Sequence, residues 1–424
     1  MPTAEGFFSH FDGSQEGVMT DNLKIAWRNL WRNSRRTIIT AASIFFGVFF
    51  SVFMSSLQEG SLENMVDNMV RFYSGYIQIQ ETEFKELRSV NNSFTPGEKL
   101  EQIINENKYI TQSTQRIETF ALAGSETTSF PAMVFGVIPE KEEAISGIAK
   151  WIDGGEYISS ESKDILIGKV LAKNLEINVN DSLVLIGQGY HGISSAGIYR
   201  VAGLLDFPLP DLSKQVIYMD IKNCQEFLGL ADRVTSYVIM VEIPDDVKPA
   251  IAALKPKLDT ELQIYSWDEL QPELVNLIEG KMASGVVVKG LLFMIIGFGV
   301  LATIIMLMHE RQRELGVMIS IGFQKTRIMV MIVIESFFIG LLGVLSGIAG
   351  SFPLVWYLFK NPIHVTGQMA ETYKSMGFEP VLKFSAEPQI FISPAITVFI
   401  IFALISFYQI YFVAKLNIVN ALRA

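Results

Sequence analysis

The chain has few of the residues from which catalytic and metal sites are built. It contains one cysteine, Cys224, and four scattered histidines, His10, His191, His309 and His364. A single cysteine excludes an intramolecular disulfide framework, and we expect Cys224 to serve as a small apolar residue. No HExxH, zinc-type Cys/His spacing or GxSxG motif occurs. We therefore predict a non-catalytic chain that binds no metal or cofactor of its own.

Phosphate-binding patterns are absent as well. GxxxxGK[ST], whose backbone amides hold nucleotide phosphates, does not occur. Any linked ATP hydrolysis must therefore belong to another polypeptide. Basic and aromatic residues do not cluster into a surface that could follow a phosphate backbone, so we expect no nucleic-acid partner. We predict no cleavable signal, because the first residues lack a basic start followed directly by an apolar core.

Four long apolar runs dominate the sequence. They cover residues 38–57, 286–308, 328–359 and 390–413. A helix rises about 1.5 Å per residue, so roughly 20 residues cross a hydrocarbon layer about 30 Å thick. We predict a membrane protein with four transmembrane helices. Residues 1–20, which precede the first basic and apolar segment, are interpreted as a disordered tail or an upstream start.

Basic residues flank one end of each predicted span. In chain order they are Lys24, Arg28, Arg32, Arg35, Arg36, Arg311, Arg313, Lys325, Arg327, Lys415 and Arg423. Positive loops stay in the cytoplasm, so both termini and the 310–327 connection are predicted to be cytoplasmic. The 59–280 segment between spans one and two is then external, as is a short loop at 361–388. The 281–424 part holds spans two to four.

The stretch before the first span has an amphipathic pattern. Apolar and aromatic residues share one helical face at 21–36, namely Leu23, Ala26, Trp27, Leu30 and Trp31, and the basic residues lie on the other. We predict an interfacial helix that forms residues 21–58 together with span one. It serves either as a topological anchor or as a mechanical part of gating.

The external segment differs from the rest in charge and pattern. Residues 59–280 carry 34 acidic and 18 basic side chains, against 10 and 16 elsewhere, so an acidic external domain is joined to a basic membrane part. Alternating or β-branched runs predict strands at 76–80, 116–123, 132–138, 164–167, 182–186, 198–205, 216–219 and 237–243. Helices are predicted at 99–105, 169–175, 223–228 and 247–258. The result is a large mixed α/β domain, or two small ones.

A glycine-rich segment interrupts this pattern at 187–197. It reads GQGYHGISSAG and lies between two predicted strands. We interpret it as a long flexible hairpin tip. The alternative is a functional loop that contacts cargo or a partner protein.

Several motifs resemble those of the MacB/FtsX superfamily of ABC-transporter permeases. They are ERQRELG at 310–316, Ile321-Gly322-Phe323, Glu335-Ser336 ahead of a glycine-rich span, AWRNL at 26–30 and NALR at 420–423. The predicted topology is also similar, and the resemblance covers essentially the whole chain. It implies an inner-membrane, multi-pass permease whose large domain lies in the periplasm. It also implies a separate cytoplasmic ABC ATPase that binds ATP and Mg, and a second permease as homodimer or heterodimer.

In this superfamily the segment after the second span docks on the ATPase. The resemblance assigns that interface, or its shaping, to Glu310, Arg311, Arg313, Glu314, Leu315, Gly316 and Gly322. Alternating charges would give directional ion pairs, with Leu315, Val317 and Ile321 as an apolar ridge. The alternative is that the basic residues only fix topology, which does not require Glu310 and Glu314.

The third span carries one acid and a glycine repeat. An ionisable group in lipid is costly unless paired, so Glu335 is predicted to bond to another span or to an inner-face arginine. A proton relay is the alternative, which one isolated acid serves poorly. Gly343 and Gly347 have the GxxxG spacing that allows two helices to approach closely.

Among family members, the lipoprotein-releasing LolC/LolE type is most similar, with Trp267 and Pro272 placed before span two. This implies extraction of lipoproteins from the inner membrane and transfer to a periplasmic acceptor. The lipid anchor would enter between spans one and two at Phe46, Phe49, Phe50, Phe53, Met54, Phe293 and Met294, although ordinary packing against membrane lipid explains the same residues. Two alternatives remain: an FtsX-like mechanotransmitting regulator of a cell-wall hydrolase, and a MacB-like efflux permease with a periplasmic adaptor.

Overall fold

The computed structural model describes Trp31, residues 34–207, 210–375 and 379–417, and Ala421. The predicted tail and most of the predicted interfacial helix lie outside these residues. The chain divides into two compact units. The helical unit comprises Met1–Ser61, Gly280–Ile363 and Leu382–Ala424, and the sheet unit comprises Leu62–Glu279 and His364–Val381. Most of the predicted 361–388 loop therefore belongs to the sheet unit.

Four helices in the described chain are long and apolar enough to cross a membrane. We name them span helices 1 to 4, and they extend over Ser34–Met69, Pro272–Glu310, Lys325–Lys360 and Pro388–Lys415. The four predicted spans are thus confirmed. A connecting helix, Gln312–Ser320, lies between span helices 2 and 3.

Span helix 1 continues far beyond its apolar run. It reaches Met69 and is followed by a π-helical turn, Val70–Ser74. The predicted domain start at residue 59 falls inside this helix, because polar residues end the apolar run without ending the helical period. Leu62 and Met65 are buried and maintain the three-residue spacing of an amphipathic helix.

Small residues allow the span helices to pack closely. A Cβ atom on Gly343 would lie 2.7 Å from Cβ of Ile44, and one on Gly347 would lie 2.7 Å from Cβ of Val48. Span helix 3 therefore meets span helix 1 along its GxxxG face. On another face, a Cβ on Gly340 would lie 2.7 Å from Cδ1 of Phe402, so span helix 4 also packs closely.

The sheet unit is built around one ten-stranded mixed sheet. Its strands are β1 Ile77–Glu81, β2 Ile110–Gly124, β3 Ser129–Val137, β4 Ile152–Gly155, β5 Asp164–Gly168, β6 Ser182–Gln188, β7 Ser194–Leu205, β8 Val216–Asp220, β9 Ser236–Val241 and β10 Leu262–Ser266. The order is β10-β1-β9-β2-β3-β8-β5-β7-β4, with β6 joining β2 to β7. The β3–β8 and β5–β7 pairs are parallel. A separate small sheet pairs β11 Ile363–His364 with β12 Val381–Leu382.

Short helices cover and connect these strands. They are Phe84–Leu87, Glu98–Asn105, Pro139–Ser146, Lys169–Leu175, Pro210–Ser213, Ile221–Leu228, Val247–Leu254, Trp267–Leu270 and Gln368–Ser375, with 3-10 turns at Ile148–Trp151, Tyr190–Gly192, Pro244–Asp246 and Lys255–Lys257. The predicted mixed α/β fold is confirmed, and each predicted strand or helix overlaps an observed one. The prediction missed β4, β10 and five short helices, which are Phe84–Leu87, Pro139–Ser146, Pro210–Ser213, Trp267–Leu270 and Gln368–Ser375.

Both faces of the central strands are buried. In β3 and β8, Val134 and Ile217 belong to the larger apolar cluster, whereas Phe135 and Tyr218 belong to a second cluster. Neighbouring residues of a strand point to opposite faces, so the two clusters cover opposite sides of the sheet. Cys224 is fully buried in the larger cluster, and burial raises the pKa of its thiol. It is a packing residue, as predicted.

Candidate functional site

The connecting helix follows span helix 2 with almost no interruption. The amide of Arg311 donates to the carbonyl of Leu307 at 3.2 Å, and the next helix begins at Gln312. It ends at Ser320 and is followed by a turn at Gly322, whose φ of +103° is a conformation that side-chain-bearing residues rarely adopt. This turn directs the chain into span helix 3, which starts at Lys325.

A buried ion pair holds the start of the connecting helix. Nη1 of Arg311 donates to Oε2 of Glu335 at 2.7 Å. Both side chains are less than a tenth exposed. Glu335 is therefore paired with an arginine of the set predicted to be cytoplasmic, and this contact joins the connecting helix to span helix 3. Such a pair is costly to break, because the remaining charge would stay buried.

Polar contacts continue from this pair toward span helix 4. Oγ of Ser336 lies 2.6 Å from Oε1 of Gln409, and both residues are buried. Nζ of Lys325 donates to the carbonyls of Ala414 at 3.2 Å and Leu416 at 3.0 Å. The last carbonyls of a helix have no intrahelical partner, and here a lysine from another helix supplies their hydrogen bonds. The beginning of span helix 3 is thus fixed to the end of span helix 4.

The inner side of the connecting helix is packed. Leu315 is 2% exposed and lies in the apolar cluster of the helical unit. A Cβ on Gly316 would lie 2.8 Å from Cβ of Ala421, so glycine permits this close approach. Arg311, Leu315 and Gly316, three of the seven predicted coupling residues, therefore face the bundle.

The other predicted coupling residues are on the surface. Glu310, Arg313, Glu314 and Gly322 are exposed. The predicted apolar ridge needs a correction, because the buried Leu315 cannot belong to it. Its other two members, Val317 and Ile321, are exposed, and so is Phe323, which was not part of the predicted ridge. Helical periodicity turns Leu315 inward, while Phe323 follows the turn at Gly322 and remains outside.

The predicted cargo residues separate in a similar way. Phe46, Phe50 and Met54 are exposed and recur every four residues, which places them on one stripe of span helix 1. Met294 of span helix 2 is also exposed. Phe49, Phe53 and Phe293 are half-buried, with the Phe49 ring 5.8 Å from that of Phe45 and the Phe53 ring 5.4 Å from that of Phe384. Span helices 1 and 2 meet where a Cβ on Gly47 would lie 2.9 Å from Cγ2 of Ile296.

The glycine-rich segment forms a hairpin with a short tip. Gln188 pairs with Ser194, so pairing of β6 and β7 continues well into the segment. The amide of His191 donates to Oδ1 of Asn91 at 2.7 Å, and the Arg233 guanidinium lies 5.3 Å from the Tyr190 ring centre. The hairpin is confirmed, but the prediction of a long tip is wrong, because Gly187 and Gly197 sit in paired strand positions and only residues 189–193 form the tip.

Sequence reasoning missed a buried polar cluster in the sheet unit. Arg116 and Glu142 are both fully buried, with Nη2 of Arg116 2.7 Å from Oε1 of Glu142. Burial alone would lower the pKa of Arg116, but the charge of Glu142 raises it on balance. The only signal in the sequence was the charged pair of Arg116 and Glu118 at alternate positions of a predicted strand.

Four spans, a sheet-bearing insertion after the first and a connecting helix after the second define a multi-pass membrane permease. Residues 37–257 match the family described as MacB-like periplasmic core domain, and residues 286–418 match the family described as FtsX-like permease C-terminal. The chain belongs to the MacB/FtsX superfamily of ABC-transporter permeases. It is an inner-membrane protein with an external domain.

Two curated relatives are similar at low identity. The lipoprotein-releasing system transmembrane protein LolC of Xylella fastidiosa is 22% identical over 249 residues, which cover 57% of this chain and 60% of that protein. The protein of the same name from Neisseria meningitidis serogroup B is 17% identical over 280 residues, or 64% of this chain and 67% of that protein. The chain thus spans about three fifths of the length of the Xylella relative.

Two solved domains are similar to part of the chain. The match to the periplasmic region of MacB from Actinobacillus actinomycetemcomitans covers 50% of this chain and 98% of the solved one, with 12% identity and a TM-score of 0.34. The match to the extracellular domain of the noncanonic ABC-type transporter YknZ from Gram-positive bacteria covers 45% of this chain and 99% of the solved one, with 14% identity and a TM-score of 0.32.

Proposed function

We propose that the chain is the permease subunit of an ATP-driven transporter that extracts lipoproteins from the outer leaflet of the inner membrane. It would pass them to a periplasmic acceptor. The observation that carries the proposal is the similarity to two proteins named for lipoprotein release. A second permease, identical or related, completes the membrane part. ATP and Mg are bound by a separate cytoplasmic ATPase.

The connecting helix supplies the surface on which this ATPase docks. Its exposed side combines the charges of Glu310, Arg313 and Glu314 with the apolar side chains of Ile321 and Phe323. An apolar patch flanked by charges of both signs suits a protein interface, because the patch gains from burial and the charges fix orientation. With the ATPase in the cytoplasm, both chain termini are cytoplasmic and the sheet unit is periplasmic.

The buried side of the same helix transmits movement from the docked ATPase to the span helices. Arg311 and Glu335 connect it to span helix 3, and Gly316 packs it against Ala421. A displacement of the connecting helix must then move span helix 3, since separating the ion pair would leave a buried charge alone. These residues shape the coupling site without touching the ATPase.

The exposed stripe of Phe46, Phe50 and Met54, with Met294, forms the surface on which acyl chains first lie. Phenylalanine and methionine present wide, adaptable apolar surface, which suits flexible acyl chains. ATP binding closes the spans and displaces the lipid anchor toward the acceptor. Phe50→Ser should then lower the yield of release, whereas Phe407→Ser, an exposed phenylalanine of span helix 4, is the matched control.

The test begins with the complex purified from its native membrane. Mass spectrometry should identify an ABC ATPase, a second permease and triacylated lipoproteins. The same complex in proteoliposomes should release a labelled triacylated lipoprotein to a soluble acceptor only when ATP is hydrolysed. Normal ATP hydrolysis without release would reject the proposal. Recovery of a cell-wall hydrolase or a periplasmic adaptor in place of lipoprotein would favour regulation or efflux instead.

A further inference from the structure

The helix that contains span 1 ends inside the sheet unit in an unusual way. Its last turn is π-helical, Val70–Ser74, and Gly75 terminates it with a φ of +68°. The amide of Gly75 donates to the carbonyl of Val70 at 2.7 Å. A Cβ at this position would lie 2.4 Å from Cγ1 of Val238, so glycine is required both by conformation and by space.

Three consecutive carbonyls of this last turn accept hydrogen bonds from side chains of the sheet. The hydroxyl of Tyr218 in β8 donates to the carbonyl of Phe72 at 3.2 Å. Nη1 of Arg116 in β2 donates to the carbonyl of Tyr73. Nε2 of Gln78 in β1 donates to the carbonyl of Ser74 at 2.7 Å. We name Tyr218, Arg116 and Gln78 the carbonyl socket.

The socket supplies the bonds that a helix end lacks. The last carbonyls of a helix have no intrahelical donor and are usually satisfied by water or a capping residue. Here the three donors are buried, at 0% exposure for Tyr218 and Arg116 and 2% for Gln78. They come from three different strands, so each fixes the helix end to a separate part of the sheet.

A second set of contacts fixes the donors themselves. Both carboxylate oxygens of Glu142 accept from Nη2 of Arg116, at 2.7 and 3.0 Å. Oε1 of Glu118 accepts from Gln78 at 3.2 Å and from the Ser236 hydroxyl at 3.2 Å. A cation near a helix C-terminus is favourable. Buried hydrogen bonds are directional and define one geometry more sharply than apolar packing does, although Nε of Arg116 itself makes no hydrogen bond.

We infer that the socket residues are positioning residues that make the end of span helix 1 and the ten-stranded sheet move as one body. This inference rests on the proposed function, in which the external domain moves during lipoprotein transfer. A solvated loop at this junction would absorb a rotation of the helix. Three directional bonds to consecutive carbonyls instead impose that rotation on the sheet.

The test removes donors and leaves shape nearly unchanged. Tyr218→Phe deletes one hydroxyl, and Gln78→Met deletes one amide. Tyr157→Phe is the matched control, because the Tyr157 hydroxyl donates at 2.9 Å to the carbonyl of Pro139 in the same unit and not to a carbonyl of the helix end. In the full complex, the two socket variants combined should exchange amide hydrogens of the 70–76 segment about tenfold faster, and the control should not.

A distance measurement reports the rigid connection directly. Spin labels replace Arg71 on the helix end and Glu126 in the β2–β3 turn, both exposed, while the buried Cys224 remains unlabelled. Wild-type complex should give one narrow distance distribution with and without a non-hydrolysable ATP analogue. The Tyr218→Phe/Gln78→Met variant should give a broader distribution that changes with nucleotide, and should release about threefold less lipoprotein per ATP hydrolysed.

An unchanged distribution and unchanged release per ATP in the double variant would overturn the inference, as would an equal effect of Tyr157→Phe. If the double variant fails to assemble, Tyr218→Phe alone repeats the measurement. The distance readout needs no cargo. A wild-type complex that releases no lipoprotein would therefore reject the proposed function alone.

Discussion

Nη1 of Arg311 lies 2.7 Å from Oε2 of Glu335, and this contact joins the connecting helix to span helix 3 below the protein surface. Arg311 has exposed charged residues on both sides in the sequence, yet its own side chain is buried in the helix bundle. Its neighbours Glu310 and Arg313 remain on the surface. One charged motif thus serves two purposes, internal connection and external contact.

Arg311→Met should destabilise the protein strongly, because Glu335 would remain as an unpaired buried charge. We expect a loss of about 3–5 kcal/mol in the free energy of unfolding. Adding Glu335→Leu should restore most of that loss. Thermal unfolding of the wild type, both single variants and the double variant in nanodiscs gives the coupling energy. Additive losses would show that the two side chains do not depend on each other.

Glu314→Lys should weaken ATPase docking without affecting membrane insertion. The side chain is exposed on the connecting helix, so a docked partner would meet its charge directly. Reversal at an interfacial charge should weaken binding about tenfold. Glu273→Lys is the control, an exposed acid in the first turn of span helix 2. Co-purification of the ATPase at wild-type yield with Glu314→Lys would remove this residue from the interface.

Gly347→Val should separate span helices 1 and 3, because the new Cβ would lie 2.7 Å from Cβ of Val48 and 3.2 Å from the carbonyl of Phe45. Backbone cannot yield as a flexible side chain does, so we expect a loss of about 1–3 kcal/mol or more. Gly299→Val in span helix 2 is the control, since its Cβ meets no atom within 4 Å. Equal thermal midpoints for the two variants would contradict the close contact.

The pH dependence of stability should include a contribution from Asp164. Nε and Nη2 of Arg200 donate to its two carboxylate oxygens at 2.7 and 2.6 Å, and these bonds lower the pKa of Asp164 in the folded protein. A lowered pKa stabilises the folded state above the unfolded value of about 3.9, and this stabilisation disappears as pH falls through the folded value.

Asp164→Asn should therefore cost about 0.2–1 kcal/mol at pH 7, the size of a partly exposed ion pair. The difference from wild type should vanish in strong acid. Denaturant unfolding at a series of pH values measures it. A difference that stayed constant down to strong acid would mean that packing, and not charge, is responsible.

Hydropathy and periodicity predicted the spans and most of the sheet because both signals are local. The bonding of Glu335 was predictable in kind, since an acid in a span needs a partner. The identity of the partner arginine was not predictable. Arg311 reaches Glu335 only because the chain turns between span helix 2 and span helix 3, and the sequence does not define the geometry of that turn. The inward position of Leu315 likewise depends on where that helix starts, which the charge pattern does not define.

The end of span helix 1 was hidden from the sequence for a different reason. Gln78 and Gln80 alternate with Ile77 and Ile79, which predicts a strand with one face in water. In the structure Gln78 is 2% and Gln80 0% exposed. These amide side chains are buried because the π-helical turn packs on that face, where Gln78 donates to the carbonyl of Ser74. A local sequence pattern does not indicate this packing.

Span helix 1 also has a length that its apolar run does not require. Its 36 residues extend about 54 Å at 1.5 Å per residue, well beyond a hydrocarbon layer of about 30 Å. A straight helix of that length turns a small tilt into a large displacement. A tilt of about 10° about one end moves the other end by about 9 Å.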